Sequence, residues 1–199
     1  MSEESFNQNL LQFLQQSPTQ FHAVANTAKQ LVANGFSQLN EVDHWELTKG
    51  SGYFVIRNDS AIIAFYYGGD ALVQSGVRLF GAHTDSPCLK VKPNPLLAKS
   101  NFIQFGVEVY GGVLLNPWFD RDLSLAGKVY YESSNGELNS TLIDFNRAIA
   151  CIPSLAIHLD RDANENRTVN KQLHMPPIVS LNTDNSFTDF SQWLQQELT

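Results

Sequence analysis

The spacing of the apolar residues changes near residue 50, and this change restricts the chain to a fold that combines helices with a sheet. Before it, apolar residues recur every three or four positions, as on one face of an α-helix, at Phe6, Leu10, Phe13 and Leu14 and then within residues 21–32. After it, short runs of β-branched and aromatic residues alternate with turn residues, as in β-strands. This order predicts an α/β fold in which the two helices cover one face of a sheet.

The ends of the second helix are predicted by the residues that flank it. Ser17, with Pro18 after it and Gln20 at the third position, is a typical N-terminal capping sequence. Gly35 predicts the C-terminal end, because glycine readily adopts the left-handed conformation that follows many helices.

Seven short segments are predicted to be strands. The first two, residues 53–57 and 61–66, are expected to form a hairpin through Asn58, Asp59 and Ser60. The third, residues 77–80, is apolar and is expected to be the most interior strand. The others are predicted at residues 89–92, 103–110, 127–131 and 138–143, with a hairpin turn at 133–136 between the last two.

Charge and composition exclude several classes of function. The 199 residues include 13 basic and 20 acidic side chains, for a formal net charge of −7, and no cluster of lysine and arginine is longer than a pair. We therefore expect neither nucleic acid nor an anionic membrane surface as a partner. The two cysteines, Cys88 and Cys151, have no Cys-x-x-Cys spacing, which argues against a disulfide framework and a structural zinc site.

The N-terminal sequence and the lengths of the apolar runs predict a cytoplasmic protein. The chain starts Met-Ser-Glu-Glu, which is acidic where a secretory signal is basic. No apolar run approaches the roughly 20 residues that a membrane-spanning helix needs.

A histidine and an aspartate two residues apart follow the predicted strand 77–80, in the run Gly81-Ala82-His83-Thr84-Asp85-Ser86-Pro87. Because side chains alternate along an extended backbone, His83 and Asp85 are expected to project to the same side. A carboxylate that holds one ring nitrogen leaves the other to bind a metal ion. By itself the pattern is more typical of a turn that contains a hydrogen-bonded histidine.

Two further runs contain more glycine, proline, aromatic and charged residues than an ordinary loop. The run 111–123 contains Trp118 and the triplet Asp120-Arg121-Asp122. We expect Arg121 to pair with one of the two aspartates and Trp118 to pack, so that the run supports a domain junction. A direct catalytic role is the alternative.

The run 152–161 places His158 between Ile157 and Leu159. On a strand, His158 points away from these apolar neighbours and towards polar surroundings. Helix signals give way to polar loops and hairpins after residue 120, which predicts a domain boundary there. Near the C-terminus an amphipathic helix with an apolar face that needs a partner is predicted from Phe187, Phe190, Trp193, Leu194 and Leu198.

Taken together, in this order and at these separations, the three runs resemble the aspartyl aminopeptidase family of zinc metallopeptidases, from the first helix to about residue 180. The resemblance implies that residues 1–120 are the N-terminal part of a catalytic domain, with helices on a mixed sheet. It implies that residues 121–199 belong to an inserted β-rich dimerisation domain. It also implies peptide substrates and a homo-oligomer built from dimers, up to a dodecamer.

The resemblance also implies roles for three residues. His83 matches the first zinc ligand, and Asp85 matches the carboxylate that orients this ligand and supports the catalytic centre. His158 matches a histidine that is either a metal ligand or a group that contacts substrate in a neighbouring subunit. We favour the second role, because a residue on a separate domain is well placed to reach across an interface. Two zinc ions are expected, with cobalt or manganese as alternatives.

The implied activity is that of a zinc-dependent aminopeptidase that releases N-terminal aspartate or glutamate from peptides. A complete member of the family is about twice as long, and residues 180–199 offer Asp184, Asp189 and Glu197 but no Glu-Glu pair and no histidine. We therefore expect the chain to be an N-terminal fragment that is inactive by itself.

Two other functions remain open. Residues from 121 onward could form a non-catalytic homo-oligomerisation module. Alternatively, His83 and Asp85 could serve Ser86 as a nucleophile, although the chain has no Gly-x-Ser-x-Gly elbow.

Overall fold

The computed structural model describes residues 2–68, 72–183, 187 and 189–198. Its helices are α1 (Glu3–Gln15), α2 (Gln20–Ala33), α3 (Leu72–Ser75) and α4 (Phe190–Gln196), with a 3-10 helix at Asn116–Trp118. Its strands are β1 (Ser37–Gln38), β2 (Ser51–Arg57), β3 (Ala61–Tyr67), β4 (Cys88–Lys99), β5 (Phe102–Tyr110), β6 (Ala126–Glu132), β7 (Leu138–Asp144) and β8 (Ile178–Leu181). Within these residues, every helix is too short or too polar to cross a lipid bilayer.

The chain divides into two compact units. The first unit contains Met1–Ser86 and Gly127–Leu142, and the second contains Pro87–Ala126 and Ile143–Thr199. The units therefore change at residues 87, 127 and 143, whereas the sequence suggested one boundary near 120. The assignment of residues 1–120 to a catalytic domain and 121–199 to a dimerisation domain concerns function and stays a prediction.

The hairpin of β6 and β7 belongs to the first unit because of contacts that its own sequence does not reveal. Lys128 of β6 forms an ion pair with Asp59 in the turn between β2 and β3, and only 9% of its side chain is exposed. Its ammonium group also lies 6.0 Å from the centre of the Phe21 ring, in α2. These contacts tie the hairpin to the helix and sheet of the first unit.

The first unit contains a mixed three-stranded sheet in the order β1-β2-β3. Strand β1 runs parallel to β2, and β3 is antiparallel to it. Helix α2 contacts all three strands, and α1 lies against α2. The core includes Phe54, which is fully buried, and Val24, which is 2% exposed. The predicted arrangement of a helix on a mixed sheet is confirmed for α2.

The start of α2 differs from its prediction, whereas its end agrees. The N-cap is Thr19, whose hydroxyl accepts from the backbone N–H of His22, and not Ser17. The Ser17 hydroxyl instead accepts a hydrogen bond from the side-chain amide of Asn26 at 3.2 Å. The helix ends at Ala33 and is followed by Gly35 with φ 82°, in the predicted left-handed conformation.

The predicted hairpins are all present. The turn between β2 and β3 has Asn58 at φ 52° and Asp59 at φ 55°, values that asparagine and aspartate tolerate better than most residues. Strand β4 is longer than predicted, because it continues through two prolines at an irregularity of the ladder between Val91 and Leu96.

The prediction of an interior strand at residues 77–80 is wrong. In the described part of the chain no strand pairs with this segment. Its side chains are exposed, with Val77 at 75%, Leu79 at 89% and Phe80 at 93%. A strand depends on hydrogen bonds to a neighbouring strand and on burial of its side chains, and this segment has neither.

The second unit is built around β5, in a sheet of order β4-β5-β8. Its buried core consists of Ile103, Phe105, Val107, Ile152, Met175 and Phe187. Helix α4 packs its apolar side on this core, since the Trp193 ring lies 5.9 Å from that of Phe105 and 4.9 Å from that of Phe187. The predicted amphipathic helix and its need for a partner are therefore confirmed, although Phe187 precedes the helix and Leu198 follows it.

Candidate functional site

His83 and Asp85 lie together in the first unit, in the extended segment before β4. Nδ1 of His83 is 2.6 Å from the backbone carbonyl oxygen of Asp85 and 3.2 Å from its carboxylate Oδ1. Both oxygens accept hydrogen bonds, so Nδ1 carries the proton and donates it. In the neutral ring the lone pair is then on Nε2, which is the atom that can bind a metal ion.

The His83 ring is open to solvent. Its side chain is 78% exposed and that of Asp85 is 38% exposed. Between them, the Thr84 hydroxyl donates to the backbone carbonyl of Ser60 at 2.7 Å and so ties the segment to the β2–β3 turn. The imidazole is thus presented at the surface and is not packed in hydrocarbon, and the segment that carries it is held by Thr84.

These two residues fit one ligand position of a zinc site. Zinc binds the lone pair of a neutral imidazole whose other nitrogen donates to a carboxylate or carbonyl, and His83 with Asp85 has this arrangement. Among the described residues, no group of three or more His, Cys, Asp and Glu side chains could hold a metal ion. His83 with Asp85 therefore supplies one oriented imidazole, and a complete site needs further ligands.

The acidic residues near the C-terminus have other partners. The Asp189 carboxylate caps α4 and accepts from the backbone N–H of Ser191 at 2.7 Å. The Glu197 carboxylate pairs with the guanidinium of Arg147, which lowers the pKa of Glu197. Asp184 lies outside the described residues.

The serine alternative gains no support from the geometry. A catalytic triad needs the serine hydroxyl on the second ring nitrogen of the histidine. Within the range 72–183 the structure shows no hydrogen bond between Ser86 and His83.

His158 lies in the second unit, in a turn and not on a strand. The backbone N–H of Leu159 donates to the carbonyl of Ala156 at 2.8 Å, and that of Asp160 donates to the same carbonyl at 3.2 Å. A turn forms because the chain hydrogen-bonds to itself here and not to a neighbouring strand. His158 is exposed, as are its apolar neighbours Ile157 and Leu159 at 46% and 74%.

The second and third sequence runs meet at Asp120. Its carboxylate Oδ1 accepts from the backbone N–H of Ser154 at 2.8 Å, and its own N–H donates to the carbonyl of Ile152 at 2.9 Å. Ser154, through its side chain and its N–H, lowers the pKa of Asp120, and the charge of Arg167 lowers it further. A carboxylate with a lowered pKa keeps its charged contact with Ser154 at neutral pH and weakens it only as the pH falls through that pKa.

The predicted pairing of Arg121 with Asp120 or Asp122 is wrong. Asp120 has a positive φ of 56° and its carboxylate is bonded to Ser154. No ion pair of Arg121 is found within residues 72–183. The predicted packing of Trp118 is confirmed, since it lies against the core of the second unit.

Arg167 is a residue that the sequence did not single out. Its guanidinium carbon lies 4.0 Å from the centre of the Phe119 ring. Its Nε is 3.6 Å from Asp160 Oδ2, and its Nη1 is 3.4 Å from Asn116 Oδ1. It lies in the charged stretch 160–167, and no local pattern marks which charge of that stretch has a partner 51 residues away.

Comparison with known proteins gives a consistent result. The family model described as aminopeptidase I zinc metalloprotease (M18) matches residues 13–195. The probable M18 family aminopeptidase 2 of Stutzerimonas stutzeri is 53% identical over 195 residues, which cover 98% of this chain and 45% of that protein. The chain thus spans less than half the length of this curated relative.

Solved structures agree with the sequence relatives. The structure of Chaetomium thermophilum mApe1 is 28% identical, with a TM-score of 0.78, and the match covers 98% of this chain and 46% of that one. The structure of the S. cerevisiae mApe1 dodecamer is 30% identical, with a TM-score of 0.71, and the match covers 78% and 37%.

Proposed function

Because the chain belongs to the M18 family of zinc metallopeptidases, we propose that it contributes His83 and Asp85 to a zinc-dependent aminopeptidase. The single observation that carries the proposal is the pair of acceptors on Nδ1 of His83, at 2.6 and 3.2 Å. They orient the ring and leave Nε2 to bind a metal ion.

The chemistry of the site is divided between the metal and the protein. When bound, zinc polarises the scissile carbonyl and lowers the pKa of a bound water. His83 supplies one ligand, and Asp85 fixes the orientation of its ring. The remaining ligands and the general base come from outside the matched residues, so the 199-residue chain is inactive by itself. Two zinc ions are expected, with cobalt or manganese as substitutes.

The substrates and assembly belong to the same proposal. The preference for N-terminal aspartate and glutamate rests on the resemblance of the three sequence runs to aspartyl aminopeptidases. His158 contacts substrate in a neighbouring subunit of a homo-oligomer. In support, His158 is exposed in the second unit, and the S. cerevisiae relative is solved as a dodecamer. We also propose a cytoplasmic location.

The test compares variants for bound metal and for activity, in the complete polypeptide that carries this sequence. His83→Ala is expected to abolish activity and to reduce the zinc content measured by mass spectrometry. Asp85→Asn is expected to weaken metal binding by about 10- to 100-fold, because the outer carboxylate is lost. Ser86→Ala is expected to retain activity. His44→Ala, at an exposed histidine of the first unit, is the matched control.

Four results would contradict this proposal. Unchanged zinc content in His83→Ala removes the metal role of that residue. Loss of activity in Ser86→Ala favours the serine mechanism. Equal rates on neutral and acidic N-terminal residues refute the preference. A protein that forms oligomers but binds no metal favours the non-catalytic homo-oligomerisation module.

A further inference from the structure

The loop that carries His158 is attached at both ends to a single segment of the second unit. We call residues 154–160 the His158 loop. We propose that Asp120 and Arg167 are positioning residues that hold this loop in one preformed conformation and so present His158. The inference rests on the proposed contact between His158 and substrate.

The first attachment is at the start of the loop. Asp120 accepts from the N–H of Ser154 at 2.8 Å and donates its own N–H to Ile152 at 2.9 Å. It makes both contacts with φ 56°, in the left-handed region that aspartate and asparagine enter more readily than most residues. One residue thus binds the chain both just before the loop and at its first position.

The second attachment is at the end of the loop. Asp160 faces Nε of Arg167 at 3.6 Å, and the guanidinium lies 4.0 Å from the Phe119 ring centre. Nη1 of Arg167 also lies 3.4 Å from Asn116 Oδ1. The planar guanidinium can stack on a ring and pair with a carboxylate together, which a lysine cannot. Because the Arg167 side chain is only 21% exposed, this contact is partly shielded from water.

The loop has little else to order it. Residues 154–159 are all exposed, so burial contributes little to its conformation. Within it, the N–H groups of Leu159 and Asp160 donate to the carbonyl of Ala156 and close a turn around His158. A short turn that lacks a buried side chain is restrained mainly by what holds its two ends. Residues 116–120 hold the start of the loop through Asp120, and they contact Arg167, which holds its end.

The first experiment measures loop order in the 199-residue chain by NMR. Asp120→Ala and Arg167→Met are expected to speed exchange of the Ser154 and Leu159 amides by about 10-fold, because the end contacts are lost. Asp120→Asn keeps an acceptor and the left-handed preference, so it is expected to remain near wild type. Arg161→Met removes an equal charge from an exposed arginine that forms no ion pair with any described residue, and it is the matched control.

The second experiment asks whether the positioning acts through His158. In the complete enzyme, Asp120→Ala is expected to lower kcat/KM by about 10-fold, since a misplaced contact group loses binding geometry. In a His158→Ala background the same change is expected to cost less than about 2-fold, because the group that it positions is already absent. Asp120→Asn should restore most of the activity.

The outcomes distinguish the positioning role of Asp120 and Arg167 from the proposed substrate contact of His158. Unchanged loop exchange in both Asp120→Ala and Arg167→Met overturns the positioning role, and so does an undiminished effect of Asp120→Ala in the His158→Ala background. If His158→Ala has wild-type kinetics, the proposed substrate contact is overturned, whatever the exchange data show. Far-UV circular dichroism checks that each variant folds. Arg167→Lys keeps the charge but cannot stack and pair together, so it provides the milder variant should one fail to fold.

Discussion

Asp85 contacts His83 through two different oxygens, and only one of them depends on the residue type. The backbone carbonyl, at 2.6 Å from Nδ1, would be present with any side chain. The carboxylate, at 3.2 Å, is specific to an acidic residue and adds a negative charge beside the ring. The carbonyl therefore suffices to fix the ring nitrogen that donates, and the aspartate raises the affinity of the other nitrogen for a cation.

A substitution at another single residue, Gly52 in β2, is expected to have a clear effect on stability. A Cβ atom added there would lie 2.6 Å from the Phe36 ring, closer than any real contact. Gly52→Ala is therefore expected to lower the free energy of unfolding by about 1–3 kcal/mol, as overpacking does in other cores. Denaturant titration measures this change in the free energy of unfolding.

Gly127→Ala in β6 is the matched control, because no heavy atom lies within 4 Å of the added Cβ. It is expected to stay within about 0.5 kcal/mol of wild type. Equal stability of the two variants would show that the Phe36 ring shifts to make room for the added Cβ without loss of stability.

At the scale of the element, α4 depends on packing rather than on its own sequence. Its seven residues, Phe190–Gln196, make fewer than two full turns beyond the cap, and a helix this short is unstable alone in water. The Trp193 ring stacks on that of Phe145 with centres 4.5 Å apart. The element therefore forms where its aromatic side meets the second unit's core.

Trp193→Ala is expected to lower the free energy of unfolding by about 2–3 kcal/mol, less than for a fully buried tryptophan because the side chain is only partly buried. Thermal unfolding followed by near-UV circular dichroism measures the change. Gln192→Ala, on the exposed side of the same helix, is expected to remain within about 0.5 kcal/mol of wild type. A loss of similar size in both variants would contradict the proposed importance of the aromatic contacts.

At the scale of the whole molecule, the two units have separate cores, and the polypeptide passes between them three times. The first core includes Phe54 and Val24, and the second includes Phe105 and Met175. The hairpin β6–β7 lies between two parts of the second unit in sequence but belongs to the first. Its stability should therefore follow the first core.

Hydrogen exchange tests this organisation. Phe54→Ala is expected to destabilise the first unit by about 3–5 kcal/mol and Met175→Ala the second by about 2–5 kcal/mol. The amides of residues 127–142 are expected to exchange faster in Phe54→Ala and to be nearly unaffected in Met175→Ala. The reverse result would place the hairpin with its sequence neighbours.

The sequence by itself determined the elements and contacts that depend on residues close together in the chain. The hairpin turn at Asn58 and Asp59, the end of α2 at Gly35 and the mixed α/β class follow from local preferences and from the spacing of apolar residues. The proximity of His83 and Asp85 follows from side-chain alternation over three residues. The motif resemblance also indicated an M18 metallopeptidase, because it uses the order of whole runs.

Only the tertiary structure decided which distant residues meet. Asp120 has its partner Ser154 34 positions away, and local charge spacing pointed to Arg121 instead. Lys128 joins its hairpin to the first unit through Asp59, 69 positions away. The apolar segment 77–80 stays exposed because a strand needs a partner, which its own residues cannot specify. Pairings of this kind depend on how the whole chain packs, and local preferences carry no information about them.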